Sequence, residues 1–498
     1  MTNMDTREES RIYVIGAGFA GRAIAREIAR KRVLGSVVAF LDDDPAKIGR
    51  RVEGVPVLGP VRDVVKLISL TPADEAIIAI PSASRELLRE LHALLAAAGF
   101  ARIRIIPGVA QILEGDPHII QARQIDPQDL LGRDPVKVGL KESLAWLRGK
   151  RVLVTGAGGS IGSELAGQLL SAGVERLFLF GHGENSIYRI DRDLRLLQEE
   201  GVGERTSIVP VIGELKDRDY VRFILKRLKA QVVFHAAAYK HVPMMEENPV
   251  AAVENNVFGT LNLVDAALAA GVERFVLIST DKAVEPVSVY GVSKRLSERI
   301  VRRAAGTASG RSAFMVVRFG NVLGSRGSII PLFAAQIDKG GPVTVTAPEA
   351  TRFFMTIPEA CSLVLKAGGV GSAGKTYILD MGDPINIREL AEQMIRFRGL
   401  EPGVDIPIRY IGLRRGERLH ERLAAEDERI VPTPYPRLNV LERDGDDDGE
   451  LERLLAALRP VCSFDEKRPG EYRNRRALRE ILRAGNPDLE VPNDESEF

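Results

Sequence analysis

Cysteine is nearly absent from this chain: Cys361 and Cys462 are the only two in 498 residues. Two cysteines cannot build a disulfide framework, which excludes the stapled small secreted domains and fits a reducing cytosol. Net charge is nearly absent as well. Lys plus Arg number 69 and Asp plus Glu 68, a formal +1, so no basic surplus points to a nucleic-acid partner. Long apolar runs are missing. A membrane span needs about 20 apolar residues; the most apolar helical stretch, residues 87 to 100, is interrupted by Arg89, Glu90 and His92. It reads as a packed amphipathic helix. The opening MTNMDTREESR is polar, with no signal-peptide pattern. A cytoplasmic protein without a membrane span is expected, associated with the membrane only through partners.

What is present is ordinary globular composition, 45% hydrophobic, and a length that suggests roughly three units. The strongest signal is a repeated strand–glycine turn–helix alternation. RIYVI leads into GAGFAG, with Gly16, Gly18 and Gly21, then a helix; the next strand ends at Asp42, about 20 residues on. Residues 11–124 therefore read as a small Rossmann-like domain. The glycines and Asp42 make either a nucleotide site or an inherited scaffold. Residues 125–149 form a linker ending in a short amphipathic helix, with Trp146 as an interdomain packing anchor.

A second start is stronger. RVLVT is followed by GAGGSIG and a helix, with Gly156, Gly159, Ser160, Ile161 and Gly162 at the turn. Glycines here allow a tight turn and let a pyrophosphate approach a helix N-terminus. The next strand ends in FGHGENS, so Gly181 stands where an acid would mark NAD, and Glu184 is the nearest candidate. Glu214 and Leu215 follow a third strand. Ala236, Ala237 and Ala238 follow a fourth, where small residues admit a cofactor, and Lys240 comes next. His235 is catalytic or structural; Asn256 faces the site or the surface. Residues 150–320 read as a dinucleotide-binding domain, 321–450 as a substrate-binding lobe, and 451–498 as helices and a disordered tail.

The central strand, FVLIS, ends in Ser279, Thr280, Asp281 and Lys282, where open α/β sheets place their chemistry. Tyr290 and Lys294 follow four apart on one helix face. A nearby ammonium favours phenolate, so Tyr290 can take a proton from a sugar hydroxyl while hydride leaves the same carbon. Alone, Tyr-x-x-x-Lys also describes a solvated helix face. Arg318, Asn321 and Arg326 in one segment, and Arg414, Arg415, Glu417 and Arg418 in another, suit a diphosphate or a surface ion-pair network. The acidic loop DGDDDGE, residues 444 to 450, reads as solvated.

The segments DDDPAKIGRRVEGVPVLG, VLVTGAGGSIGSEL, LFGHGENSIY, FHAAAYKHVPMMEENP, STDKAVEP, RFGNVLGSRGSIIPLF, GGPVTVTAPEATRFFMTIPEA and GLRRGERLHE run in order over most of residues 11–425. Together they resemble the extended short-chain dehydrogenase/reductases that modify nucleotide sugars. More narrowly, they resemble the capsule-type polysaccharide-biosynthesis proteins of the UDP-N-acetylglucosamine 4,6-dehydratase and epimerase group. Three departures stand out. Large members usually begin with membrane helices, so this is a form without them or a shortened one. Many have Met where Tyr290 stands. The family's Arg-Pro-Gly-Glu-Lys becomes Arg414-Arg415-Gly416-Glu417-Arg418.

The resemblance implies an α/β fold of two Rossmann-like domains, the second doubly wound with a smaller C-terminal substrate lobe. It implies NAD(P)+, tightly bound and recycled, a UDP-sugar substrate, no metal, and a homo-oligomer. Gly156 to Gly162, Glu184, Glu214, Leu215, Ala236 to Ala238, Lys240, Asn256, Tyr290 and Lys294 would line the cofactor. Lys240, Arg318, Asn321, Arg326, Arg352, Arg414 and Glu417 would hold the substrate. Tyr290, helped by Lys294 and Thr280, would remove the O4 proton; Asp281 would protonate the leaving C6 hydroxyl and Lys282 would take the C5 proton. Lys282 would have to be partly neutral for that. A 4-epimerase would need only Tyr290, Lys294 and cofactor, and a nucleotide-sensing protein would need no chemistry.

Overall fold

The computed structural model describes residues 10–31, 35–80, 83, 85–100, 102–105, 123–124, 144–308, 312–397, 400–443, 445 and 447–495. The chain forms two compact units. The first comprises residues 1–134, 333–343 and 391–408; the second holds residues 135–332, 344–390 and 409–498.

The first unit is built on strands β1 (Arg11–Ile15), β2 (Ser36–Leu41), β3 (Arg51–Val52), β4 (Val55–Gly59), β5 (Glu75–Ile78), β6 (Arg102–Ile105) and β7 (Arg123–Gln124). Their order is β3-β4-β2-β1-β5-β6-β7. The middle five run parallel, and both edges are antiparallel. Alternate residues of a strand face opposite sides, and both sides are apolar here. Ile12, Val14, Phe40 and Ile77 pack with Ile24 and Ile28 of helix Phe19–Lys31; Tyr13, Ile15, Leu41 and Ile78 pack with Leu91 and Leu95 of helix Arg85–Ala97. The β3–β4 hairpin turns on Glu53 and Gly54, both at positive φ, the geometry a two-residue hairpin turn requires.

The second unit continues with β8 (Arg151–Thr155), β9 (Arg176–Gly181), β10 (Ser207–Ile212), β11 (Val232–His235), β12 (Arg274–Thr280) and β13 (Ala313–Phe319). The sheet order is β10-β9-β8-β11-β12-β13, then Thr376–Leu379, Leu438–Glu442 and Arg429–Pro432, with the last two joined antiparallel. The order reverses between β8 and β11, the switch point at which such sheets bind ligands. Helices Gly259–Ala269 and Val289–Thr307 pack on the face that carries Leu153, Val233, Phe275 and Phe314. Helices Ser160–Ser171 and Ile357–Val370 pack on the face that carries Val152, Phe234, Val276 and Met315.

Two expectations change, for Trp146 and for the tail, while the described residues of the acidic loop are exposed as expected. Trp146 lies on a short 3-10 turn, Ala145–Leu147, and meets Arg274, Gly368 and Gly369, all of the second unit, so it anchors packing inside that unit. In the acidic loop, Asp447 accepts the Glu450 N–H at 3.0 Å and caps helix Asp448–Cys462. The tail is ordered to Glu495: Leu489 and Glu495 are buried, for reasons given below. No helix among the described residues is long and apolar enough to cross a membrane.

Candidate active site

The glycine turn after β8 is shaped by close approach. Gly156 has φ +67°, and a Cβ there would stand 2.7 Å from the Ala237 backbone. A Cβ on Gly162 would meet the Gly156 carbonyl at 2.1 Å, and one on Gly158 would meet Ser186 Oγ at 2.4 Å. The turn thus lies against Ala236–Ala238 on one side and the start of helix Glu184–Glu199 on the other. Gly159 opens helix Ser160–Ser171 with no side-chain cap, which leaves its first N–H groups for a phosphate. Arg326 closes over this turn: its NH1 donates to Gly158 O at 2.6 Å and its backbone N–H to Ser160 Oγ at 3.1 Å. Lys240 lies near; the surrounding protein and then the Arg326 charge disfavour its ammonium. A cradle of this shape, at the switch point, fits a dinucleotide.

Other candidates line up less directly. Glu184 is exposed in the first turn of its helix, and Glu214 pairs with Lys216 at 3.5 Å. Leu215 is buried, and its carbonyl accepts from Asn262 at 2.9 Å. Asn256 sits in a π-helical turn, Glu254–Phe258, and is 1% exposed. Its amide holds both backbone groups of Tyr239, at 2.9 and 3.0 Å, and donates to Ser293 Oγ at 2.9 Å. Asn256 is therefore a brace between the β11 loop and the helix that carries Tyr290. His235 is structural: its ring nitrogens meet Thr155 at 2.7 Å and Thr260 at 2.9 Å, and burial pushes its pKa down to about 3.

The end of β12 and helix Val289–Thr307 carry the reactive groups. Ser288 caps that helix by accepting the Gly291 N–H at 3.0 Å. A Cβ on Gly291 would stand 2.2 Å from Lys282 O, so only glycine lets the first helical turn lie on the Thr280–Lys282 segment. This brings Tyr290 to Thr280, whose side chain favours the phenolate. Tyr290 is 7% exposed. Burial pushes its phenol up to about 12; Lys282 opposes that shift, while Asp281 and Glu421 add to it. Lys294 donates to Ile278 O at 2.8 Å, and burial lowers it to about 8. The cation acting on the phenol here is Lys282, where the sequence suggested Lys294.

Asp281 is fully buried. Its Oδ1 accepts from Thr280 at 2.9 Å and from Lys282 Nζ at 3.0 Å. Its Oδ2 meets no hydrogen-bond partner among the described residues. Burial raises the carboxyl, and Glu421 adds to the rise against the Lys282 charge. Lys282 Nζ also donates to Asn321 Oδ1 at 3.1 Å and lies 3.3 Å from Glu421 Oε1. Three acceptors surround an ammonium with three protons. Burial works against this charge, but Asp281 and Glu421 outweigh it and raise the Lys282 pKa. The partly neutral Lys282 that a base requires is therefore corrected: it is a fully engaged cation. Glu421 was missed by the sequence reading. Its only signal was its place at the end of GLRRGERLHE, a segment read for its arginines.

The predicted substrate residues separate into groups. Asn321 reaches the centre through Lys282. Arg318 does not reach a ligand: it is 2% exposed, with Nε and NH2 on Glu298 at 3.2 and 2.7 Å and NH1 on Glu428 at 2.6 Å. Burial would raise Glu298, but Arg318 holds it down at about 2. Ser279 Oγ donates to the same carboxylate at 2.6 Å. This buried network fixes the end of β12, and it corrects the diphosphate role expected of Arg318. Arg352 donates to the carbonyls of Thr351, Arg418 and Leu419 and lies 3.9 Å from Glu421. Arg414 and Glu417 pair with each other at 2.5 Å on an exposed loop. Arg418 donates to the Val284 and Glu285 carbonyls, in the loop between β12 and the tyrosine helix.

The tyrosine helix is also held from behind. Its first N–H, of Val289, donates to Glu246 Oε1 at 2.8 Å. Glu246 accepts from fully buried Arg479 at 2.8 Å, and Arg479 pairs with Glu495 at 2.8 Å. That ion network orders the tail.

In the first unit, Gly16 has φ +98°, a Cβ on Gly21 would stand 1.9 Å from Gly16 O, and Gly18 faces open space. Asp42 accepts the Ala17 N–H at 2.7 Å and the Asp44 N–H at 2.9 Å and pairs with Lys47 at 3.0 Å. These contacts and Lys47 hold its pKa down against partial burial. Asp42 thus fixes the turn itself.

Comparison with known proteins shows the family. Residues 152–443 match the family model described as polysaccharide biosynthesis protein, and residues 7–99 match the one described as CoA binding domain. The chain is 41% identical over 423 residues to the capsular polysaccharide biosynthesis protein CapD of Staphylococcus aureus, covering 84% of this chain and 69% of that protein. It is 31% identical over 332 residues to a UDP-glucose 4-epimerase of Rickettsia rickettsii, covering 64% and 92%. The X-ray structure of Pen from Bacillus thuringiensis is similar with a TM-score of 0.54 and 33% identity, covering 59% of this chain and 89% of that one. The chain belongs to the polysaccharide biosynthesis protein family, within the nucleotide-sugar dehydratase and epimerase group of the extended short-chain dehydrogenase/reductases.

Proposed function

We propose that the second unit is a nucleotide-sugar 4,6-dehydratase acting on UDP-N-acetylglucosamine and giving a UDP-4-keto-6-deoxy-N-acetylhexosamine for surface polysaccharide synthesis. The observation that carries this reading is Asp281. It is a buried carboxyl with a raised pKa and an unpartnered Oδ2, beside Thr280 and Tyr290. A carboxyl whose neutral form is favoured in that way can give a proton to a leaving hydroxyl. A 4-epimerase has no use for such an acid. The epimerase reading nevertheless has support of its own, from the Thr280–Tyr290–Lys294 set and from the Rickettsia relative.

NAD(P)+, seated on Gly156–Gly162 and Ala236–Ala238 and recycled, would accept the C4 hydride and return it to C6. Tyr290 takes the O4 proton, with Lys282 favouring its phenolate against burial. The 4-keto group then acidifies the C5 proton, and Asp281 protonates the departing C6 hydroxyl. For the first unit, the glycine turn at Gly16–Gly21 supports a nucleotide-binding reading. The likeness of residues 7–99 to the CoA binding domain supports the same reading.

The test is incubation of the purified protein with UDP-N-acetylglucosamine in deuterated water, read by mass spectrometry and NMR. Loss of one water with deuterium at C5 is expected. Conversion to the C4 epimer with no mass loss would replace the dehydratase by the epimerase.

A further inference from the structure

The second unit holds a cleft that the sugar chemistry does not use. Its volume is about 460 Å³, and Arg302, Lys375, Arg429 and Arg443 line it together with Asp427 and Glu442. We propose that this cleft binds a small anion of the phosphate class, and that its occupancy is linked to the end of β12. The inference is independent of which reaction the unit performs.

Position separates the cleft from the dinucleotide cradle. Thr376, on its wall, begins a strand that runs parallel to β13. The cleft therefore lies at the amino ends of the parallel strands, whereas the glycine turn and Tyr290 lie at the carboxyl ends. Arg302 follows Tyr290 by more than three turns of one helix, about 18 Å at roughly 1.5 Å per residue.

Charge points to an anion. Four cations face two carboxylates, an excess of two positive charges. Arg429 pairs with Glu442, and Asp427 lies 3.8 Å from Arg443. The next carboxylates inward, Glu298 and Glu428, are held by Arg318. Lys375 is exposed, and among the described residues no ion pair or hydrogen bond engages its ammonium. Half-buried Arg295, close by, also lacks one among the described residues. Burial and then the Arg443 charge disfavour its guanidinium, against the pull of Asp427. Positive charge in this region outruns the carboxylates available to neutralise it. Guanidinium forks match phosphate oxygens, and the cleft falls within the size range of small-molecule sites.

The link runs through the walls. Arg302 NH1 lies 3.4 Å from Glu298 Oε2 and donates to Thr376 Oγ1 at 3.3 Å. Arg443 lies 3.7 Å from Glu428. Glu298 in turn accepts from Ser279 Oγ at 2.6 Å, one residue before Thr280. An anion in the cleft draws on Arg302 and Arg443 in competition with these two carboxylates. Its binding is therefore felt at Ser279, and the coupling is reciprocal.

The experiment titrates the full chain with inorganic pyrophosphate at constant ionic strength and follows amide hydrogen exchange by mass spectrometry. Slowed exchange is expected around Lys375–Thr376 and Leu441–Arg443, separate from any protection of the glycine turn after β8. Lys375→Gln, a change at an exposed side chain, should weaken the dissociation constant read at the cleft by about tenfold or more, the worth of a charge-assisted hydrogen bond. The constant read at the glycine turn should stay as it was. Exchange at Ser279 and Thr280 should change along the cleft titration and move to the weaker constant in Lys375→Gln. Protection confined to the glycine turn would overturn the site, and so would an unchanged cleft constant in Lys375→Gln. Saturation of the cleft with no change at Ser279 and Thr280 would overturn the link.

Discussion

Substituting Gly291 by alanine tests how tightly the tyrosine helix is seated. The added Cβ would lie 2.2 Å from Lys282 O, 2.9 Å from Pro286 Cβ and 3.2 Å from Ser288 Oγ. An ordinary contact begins at 3.4 Å, so the overlap with the carbonyl is 3.4 less 2.2, or 1.2 Å. The partner is backbone at the end of a central strand and cannot swing aside as a flexible side chain would. The first helical turn must retreat by about an ångström, taking Tyr290 with it. Overpacking of this kind costs about 1–3 kcal/mol. The catalytic loss should be larger, because a displacement near 1 Å costs about 10²-fold in rate. Thermal unfolding and kcat for C4 oxidation, measured on the same preparation, read the two effects. A variant with wild-type kcat and an unchanged unfolding temperature would refute the claim that this contact sets the Tyr290 position.

Four further outcomes are expected. Asp281→Asn should cut water release at least about 10²-fold while reduced nicotinamide still appears; an unchanged dehydration rate would remove Asp281 from the acid role. Arg318→Met takes the nearest cation from buried Glu298 and Glu428 and leaves them only Arg302 at 3.4 Å and Arg443 at 3.7 Å, so urea unfolding should report a loss of up to about 3–5 kcal/mol, whereas a change confined to KM would restore a substrate contact. His235 bears on acid stability: between the ordinary 6.5 and its folded value of about 3, the unfolded chain binds a proton that the folded chain refuses. Its contribution is therefore full above pH 6.5 and is lost as the pH falls toward 3. At about 1.4 kcal/mol per pH unit the loss is bounded at about 4–5 kcal/mol, and His235→Gln should flatten the acid limb of stability measured by denaturant titration. Asp42→Ala leaves the Ala17 and Asp44 N–H groups without their acceptor, at about 1–3 kcal/mol, and faster hydrogen exchange should be confined to the first unit.

The parts legible in the sequence are those whose physics is local. A strand, a glycine turn and a helix are contiguous, so Gly156–Gly162 and Gly16–Gly21 announced their turns, and Tyr290 with Lys294 announced a shared helix face. The parts that were not legible depend on partners distant in sequence. Arg318 stands among glycines in a way that suits a diphosphate, but Glu298 and Glu428 take its donors, and no pattern in either segment marks the pairing. Glu421 was hidden for the same reason: its neighbours in sequence are arginines, its neighbour in space is Lys282. Lys282 was read from the resemblance and from its adjacency to Asp281, neither of which gives a sign that two further acceptors would fix its charge. The acidic composition of the tail suggested disorder because nothing in the sequence shows that Arg475 and Arg479 of the preceding helix take Glu495, or that Glu246, far upstream, buries Arg479.

The Glu246–Arg479–Glu495 chain has a consequence for how the protein is made. Glu246 and Arg479 are 233 residues apart, and Val289, whose N–H opens the tyrosine helix, emerges from the ribosome long before Arg479 does. During that interval the glycine turn, β12 and Tyr290 already exist as polypeptide, but the carboxylate that secures the helix start lacks its buried counter-ion. A nascent chain at this stage has the tyrosine helix without the buried ion pair that fixes the orientation of Glu246. The seat of the helix that carries Tyr290 is thus completed only when a segment far downstream has been made, by residues outside the cluster around Asp281.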